Sequence, residues 1–279
     1  GGNLMAVGFD ARRRRPVGQP VRVGDLAEKV AEAVVAPNGT LVLVRKASAY
    51  QAVLLDERGE GQPIFNDTIT RFLPRSSPDG RRVALGADLR RAATTWVLDL
   101  ATRALSKLPV GRDSWLDWSP DGRRIVRRGS GGSGRDDNPR FVWQMADASD
   151  SATAFVEILH GAQSGSLAPD QRAIAIGSRF DIMVRPLVGD TTVVPFAATP
   201  AIELAPRFSP DSKWIAYSSD ESGRTEIYVK PYPGRGARLQ VSDAGGTEPI
   251  WSRDGKRLFY RNGRAVMAAY RGQGRPSLG

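Results

Sequence analysis

Residues Phe208–Gly234 read FSPDSKWIAYSSDESGRTEIYVKPYPG. A large apolar residue, Phe208, leads into a turn at Pro210-Asp211-Ser212. A short apolar run around Ile215-Ala216 follows, and a further strand-like segment, Glu226–Tyr232, comes next. The turn has a local cause. Proline presets φ for the first central position of a type I turn, Asp or Asn follows without strain, and the residue after them closes the hairpin in the left-handed region, where Gly is favoured.

Working outward, the same corner recurs at Pro37-Asn38-Gly39, Pro78-Asp79-Gly80, Pro120-Asp121-Gly122, Pro169-Asp170-Gln171 and Arg253-Asp254-Gly255. Successive corners start 41, 42, 49, 41 and 43 residues apart. That period matches one four-stranded propeller blade of about 40–45 residues. An apolar pair follows each turn (Val42-Leu43, Val83-Ala84, Ile125-Val126, Ile174-Ala175, Ile215-Ala216, Leu258-Phe259). Near-continuous apolar runs bounded by turn residues read as strands buried on both faces, as stacked blades require. Segments Thr94–Leu100, Phe141–Met145 and Ile182–Leu187 supply third strands; Leu239–Ser242 and Val193–Phe196 supply fourth ones. The expected fold is therefore an all-β, six-bladed propeller of four-stranded antiparallel blades over 1–279, with seven blades the alternative. The turn aspartates are read as turn chemistry rather than as catalytic carboxylates.

Closure of the ring removes exposed sheet edges. The last unit offers three strands, ending at Ala265–Tyr270, and the N-terminus offers Leu4–Phe9 and Pro20–Val23. The simplest expectation has Pro20–Val23 completing the last blade, with Leu4–Phe9 competing with Ala265–Tyr270 for one place.

The segments Phe208–Gly234 and GGTEPIWSRDGKRLFYRNG, Gly245–Gly263, resemble the WD40-like Pro-Asp repeat of TolB-like β-propellers, and more closely the propeller regions downstream of bacterial serine/threonine protein kinases. Gly2–Gly24 is similar to a segment of the same family. The resemblance implies a noncatalytic sensor or scaffold in an extracytoplasmic or periplasmic setting. It brings no kinase residues: the chain has no HRD and no DFG. A start at Gly1 is expected of part of a longer protein.

Composition narrows the chemistry. Cys is absent, which excludes disulfides and thiolate chemistry; the one His is His160. No G-x-S-x-G nucleophile elbow is present, and no 18-residue apolar run offers a membrane helix. The net charge of +10 attracts anions nonspecifically, but the basic residues are scattered, so specific nucleic-acid binding is not expected. Arg81, Arg82, Arg123 and Arg124 follow anchor turns, where their stems can cover strand edges.

In a propeller the connections between blades emerge on the face opposite the anchor turns. There they are expected to present Glu32, Arg71, Asp113, Trp115, His160, Glu203 and Glu248 to a protein, peptide or small ligand. No cofactor is expected. Glu32, Asp117, Glu203 and Glu248 offer oxygen ligands to Ca²⁺ or Mg²⁺, but no ligand spacing supports a site. The alternatives are the accessory propeller of a serine peptidase, or a metal-assisted hydrolase or lyase. One residue breaks the pattern: Arg127 stands in an apolar column, beside the insertion Gly129–Asn138. It is expected to pair with Asp136 or Asp137, unless its strand ends early.

Overall fold

The structure is a computed structural model. It describes the strands between Gly2 and Tyr270 and, with side chains, chiefly residues 74–86, 95–108, 117–127, 141–150 and 164–262, apart from 234–235.

Strands β1 (Gly2–Asp10) and β2 (Arg15–Leu26) open the chain. Four strands, β3 (Lys29–Val35), β4 (Leu41–Lys46), β5 (Tyr50–Leu55) and β6 (Gly61–Pro63), pair in chain order. So do β7 (Phe72–Ser76), β8 (Arg82–Leu89), β9 (Ala92–Asp99) and β10 (Leu105–Lys107). The pattern repeats in β11 (Leu116–Trp118), β12 (Arg124–Gly129), β13 (Arg140–Met145) and β14 (Thr153–Glu157). It repeats again in β15 (Ala162–Leu167), β16 (Ala173–Ser178), β17 (Asp181–Pro186) and β18 (Val194–Ala197). The next set is β19 (Glu203–Phe208), β20 (Trp214–Ser219), β21 (Glu226–Pro231) and β22 (Leu239–Gln240). Last come β23 (Thr247–Trp251), β24 (Arg257–Asn262) and β25 (Ala265–Tyr270). The four sheets from β7 to β22 are those with extensive side-chain description, and each is a four-stranded meander.

The last sheet corrects the expected closure. Its order is β2-β1-β25-β24-β23, so five strands pair. β1 lies beside β25, parallel to it, and β2 lies outside β1. The N-terminal segments do not compete with Ala265–Tyr270: they are neighbours in sequence and add to its edge together.

Two compact units are distinguished: residues 1–25 with 163–279 (unit 1), and 26–162 (unit 2). Inside each, neighbouring sheets meet through buried side chains. In unit 2, Ala84 and Val97 pack with Leu108, Trp118, Ile125 and Ala146. In unit 1, Ala175, Val184, Phe208 and Ile215 form one such layer, and Trp214, Ile227, Val229, Leu258 and Tyr260 another. Strands β16 and β20 are buried at every residue, which is why their sequences AIAIGS and WIAYSS carry no polar alternation.

Among the described residues the anchor turns share one construction, shown fully at Ser252–Arg257. The Ser252 hydroxyl donates to Asp254 Oδ1 (2.6 Å) and accepts from the Arg257 amide (2.8 Å). Asp254 accepts from the Lys256 amide (3.0 Å), the Gly255 amide donates to the Ser252 carbonyl (2.9 Å), and Gly255 has φ 66°. Ser77–Asp79, Ser119–Asp121 and Ser209–Asp211 repeat the lock. Ala168 interrupts it in the fourth unit, where Asp170 still accepts from the Arg172 amide (2.9 Å). These hydrogen bonds, Ser119 and Ser252 foremost, hold Asp121 and Asp254 below the usual carboxylate range. The turn reading of the aspartates is thus borne out; the serine ahead of the proline is the part that the corner motif left unread.

Bonds about one period apart tie neighbouring sheets within each unit. The Trp118 indole donates to the Arg75 carbonyl (2.9 Å) and the Trp251 indole to that of Arg207 (3.1 Å). Arg82 donates to the Gly122 carbonyl and its guanidinium lies over the Trp118 ring (5.2 Å), so it is the head group that reaches the next sheet.

Candidate functional site

Opposite the anchor turns of unit 1 lie the β16–β17 and β20–β21 hairpins and the connections into β19 and β23. Glu203 is the first residue of β19 and is only 1% exposed. Its amide donates to the Phe180 carbonyl (2.8 Å), which ties β19 to the β16–β17 hairpin of the preceding sheet. One carboxylate oxygen accepts from the Thr199 hydroxyl. The other, Oε2, is buried with no hydrogen-bond partner.

Burial pushes the Glu203 carboxyl above its ordinary value, and the like charges of Asp181 and Glu221 add to this against the Thr199 hydrogen bonds. Two residues joined to Glu203 through the backbone are exposed and apolar: Phe180, whose carbonyl accepts from the Glu203 amide, is 60% exposed, and Ile202, which precedes Glu203, is 40% exposed. The Ile202 amide is held by Asp220 (2.7 Å) and Glu221 by Arg238. Beneath, Tyr217 stacks on Tyr228 (centroids 5.9 Å apart) and meets Phe196 edge-on (6.4 Å). Burial raises the pKa of both phenols, so they stay neutral across the physiological range.

The second buried glutamate, Glu226, is fully engaged. It accepts from Ser242, from the Gly245 amide (2.9 and 3.0 Å) and from Arg224 (2.8 Å). It therefore fixes the connection from β22 into β23. Glu248 is half-exposed and pairs with Arg261 (2.9 Å). It sits at φ 56° in a β-bulge of β23, as Ala205 does at 54° in β19. A bulge bends a strand and re-aims its side chains.

The sequence placed Glu203 and Glu248 on connections. Both instead belong to strands, because β19 and β23 run through their bulges and pair as far as Glu203 and Thr247. Glu32 likewise lies inside β3, not before it. The side chain of Glu32 and residues Arg71, Asp113, Trp115, His160, Asp136 and Asp137 lie outside the described residues. Arg127 is buried, and its Nε donates to Gln144 Oε1 (3.1 Å). Its strand continues to Gly129, so an early strand end is not the explanation. The partner is a diagonal cross-strand neighbour, since Gln144 faces Ile125 in the register. Among the described residues no three His, Asp or Glu side chains are grouped to hold a metal, and no helix is long and apolar enough to cross a membrane.

Sequence reasoning missed Phe180, Thr199 and Ile202. The available signal was an apolar residue at the tip of a hairpin, Arg179-Phe180, where the corresponding hairpin 220–225 is polar throughout.

No protein-family model and no curated protein matches the chain. Solved structures do match its fold. TolB from Acinetobacter baumannii aligns with a TM-score of 0.67 and 20% identity, over 84% of this chain and 60% of that one. A putative TolB from Agrobacterium tumefaciens gives 0.58 and 18%, over 72% and 73%. A prolyl endopeptidase gives 0.53 and 15%, over 84% of this chain and 39% of that one. The chain thus spans 60% of the Acinetobacter TolB chain. Likeness at these identities shows fold and not activity: the chain has an all-β propeller fold, similar to that of TolB.

Proposed function

We propose that this chain is a noncatalytic interaction propeller that binds a protein, peptide or small ligand at the loop ends of its sheets. The observation that carries the reading is Glu203, a buried carboxylate with an unpartnered oxygen, bordered by exposed Phe180 and Ile202. A rigid sheet end that carries exposed apolar side chains beside a polar anchor suits recognition. Six blades are proposed, supported by the six sheets that follow one another along the chain among the described residues. Glu32, Arg71, Asp113, Trp115, His160 and Glu248 remain proposed contributors on the sequence reading, and Arg127 with Asp136 or Asp137 a proposed structural group. An extracytoplasmic sensor or scaffold role beside a bacterial kinase rests on the resemblance of Phe208–Gly234 and Gly245–Gly263. The likeness to a prolyl endopeptidase supports, at the level of fold, the alternative of an accessory peptidase propeller.

A displayed peptide library selected on the purified chain tests this. Selected peptides should lose binding to a Phe180→Ser, Ile202→Ser double variant. They should keep it with Val188→Ser, Val194→Ser, whose residues are similarly exposed elsewhere, one in the turn after β17 and the other at the start of β18. Binders indifferent to the first variant, or turnover of ester or peptide substrates lost in it, contradict the reading.

A further inference from the structure

We propose that the loop end of unit 1 seats a basic side chain of a peptide, its ammonium or guanidinium against Glu203 and its alkyl stem on Phe180 and Ile202. This names the ligand class for the site above and rests on that reading.

The argument starts from the buried oxygen. A buried carboxylate oxygen without a donor is costly in either protonation state. Ionised, it lacks a compensating N–H or O–H. Protonated on Oε2, it presents a hydroxyl with no acceptor there. The other buried glutamate of this unit has all its needs met by Ser242, Gly245 and Arg224, so an orphaned oxygen is not a general property of these sheet ends. A cationic N–H donor supplies what Glu203 lacks, and charge-assisted bonds of this kind are the strong ones.

The surroundings select the same class. Asp181 and Glu221 raise the local negative potential at Glu203, against the +10 of the whole chain. Glu221 is neutralised in part by Arg238. A divalent metal is disfavoured because Ca²⁺ takes six to eight oxygen ligands, and among the described residues no three acidic side chains are grouped to hold one. Lysine and arginine carry apolar stems that lie along hydrophobic surface while the head group is held elsewhere. Phe180 and Ile202 offer that surface: Ile202 adjoins Glu203 in the chain, and the Phe180 carbonyl accepts from the Glu203 amide. Because Oε2 has no solvent-facing surface, seating is a local opening of the 198–202 turn, at which Ala198, Pro200 and Ile202 are exposed.

The test is calorimetric titration with three acetylated, amidated peptides, Ala-Phe-Lys-Ala and its norleucine and glutamate counterparts, and separately with CaCl₂. The lysine peptide is expected to bind about tenfold or more tighter than the norleucine one. Glu203→Gln should remove that preference. Phe180→Ser, an exposed change that leaves the fold intact, should weaken the lysine peptide severalfold and keep the preference. Equal binding of lysine and norleucine peptides, a preference that survives Glu203→Gln in a folded protein, or Ca²⁺ that binds and displaces the peptide would overturn the proposal. If library peptides bind at Phe180 and Ile202 without a preference for Lys or Arg, this inference fails while the interaction reading stands. If no peptide binds there, both fail.

Discussion

Glu203 and Glu226 show how differently two buried carboxylates can be treated at one end of unit 1. Glu226 is held by three donors through four hydrogen bonds and acts as a staple for the connection into β23. Glu203 has one donor side chain, so its burial is a net cost to the charged form. The linkage follows from the sign. A carboxyl whose pKa is raised in the folded chain binds its proton more tightly there than in the unfolded chain. The stability it contributes is present at low pH and lost as pH rises through the raised value. Glu203→Gln has no charge to desolvate. It is therefore expected to match the wild type near pH 4 and below, and to be the more stable protein at pH 7, with the gap opening above the ordinary value of 4.5. Urea denaturation at several pH values measures this. A wild type more stable than the variant at neutral pH would show that Glu203 already has a cationic partner within the chain.

At the scale of the element, strand positions were legible because both their signals are local. The Pro-Asp corner fixes where two strands meet, and an apolar run of a few residues marks a strand buried on both faces. β25 falls at Ala265–Tyr270 as read, and β13, β17, β18 and β21 fall within about two residues of the reading. The bulges were not legible, since a positive φ at Ala205 or Glu248 has no glycine to announce it. That is why Glu203 and Glu248 were assigned to connections. The serine of the anchor lock was hidden for a related reason: its role is a hydroxyl bond to an amide five residues on, invisible to a reading of polarity alternation. Arg127 was legible as an anomaly but its Gln144 partner was not, because a diagonal cross-strand contact depends on register. Close packing at the β22–β23 connection gives a direct check. A Cβ added at Gly246 would approach Ile227 Cγ1 to 2.6 Å and Ser242 Oγ to 2.7 Å, and Ser242 is itself bonded to Glu226. Gly246→Ala is expected to destabilise the fold by about 1–3 kcal/mol. In denaturant titration a cost below a few tenths of a kcal/mol would mean that the connection relaxes freely.

For the whole molecule, the repeat determines architecture and leaves function to the sheet ends. In each unit the described anchor turns are built from reciprocal short-range bonds, and each of their aspartates is already engaged. The loop end of unit 1 varies from sheet to sheet and holds the one buried glutamate oxygen without a partner among the described residues. Sequence pointed to this end through Glu203 and Glu248, yet supplied neither the apolar flank nor the contrast with Glu226, since both arise from the juxtaposition of hairpins far apart in the chain. The most direct check of an interaction site there is hydrogen–deuterium exchange of the purified chain, with and without a saturating library-selected peptide. Slowed exchange is predicted in 178–181 and 199–203, with the anchor turns near Asp211 and Asp254 unchanged. Protection centred on the anchor turns, or none in 178–181 and 199–203 at saturation, would contradict it.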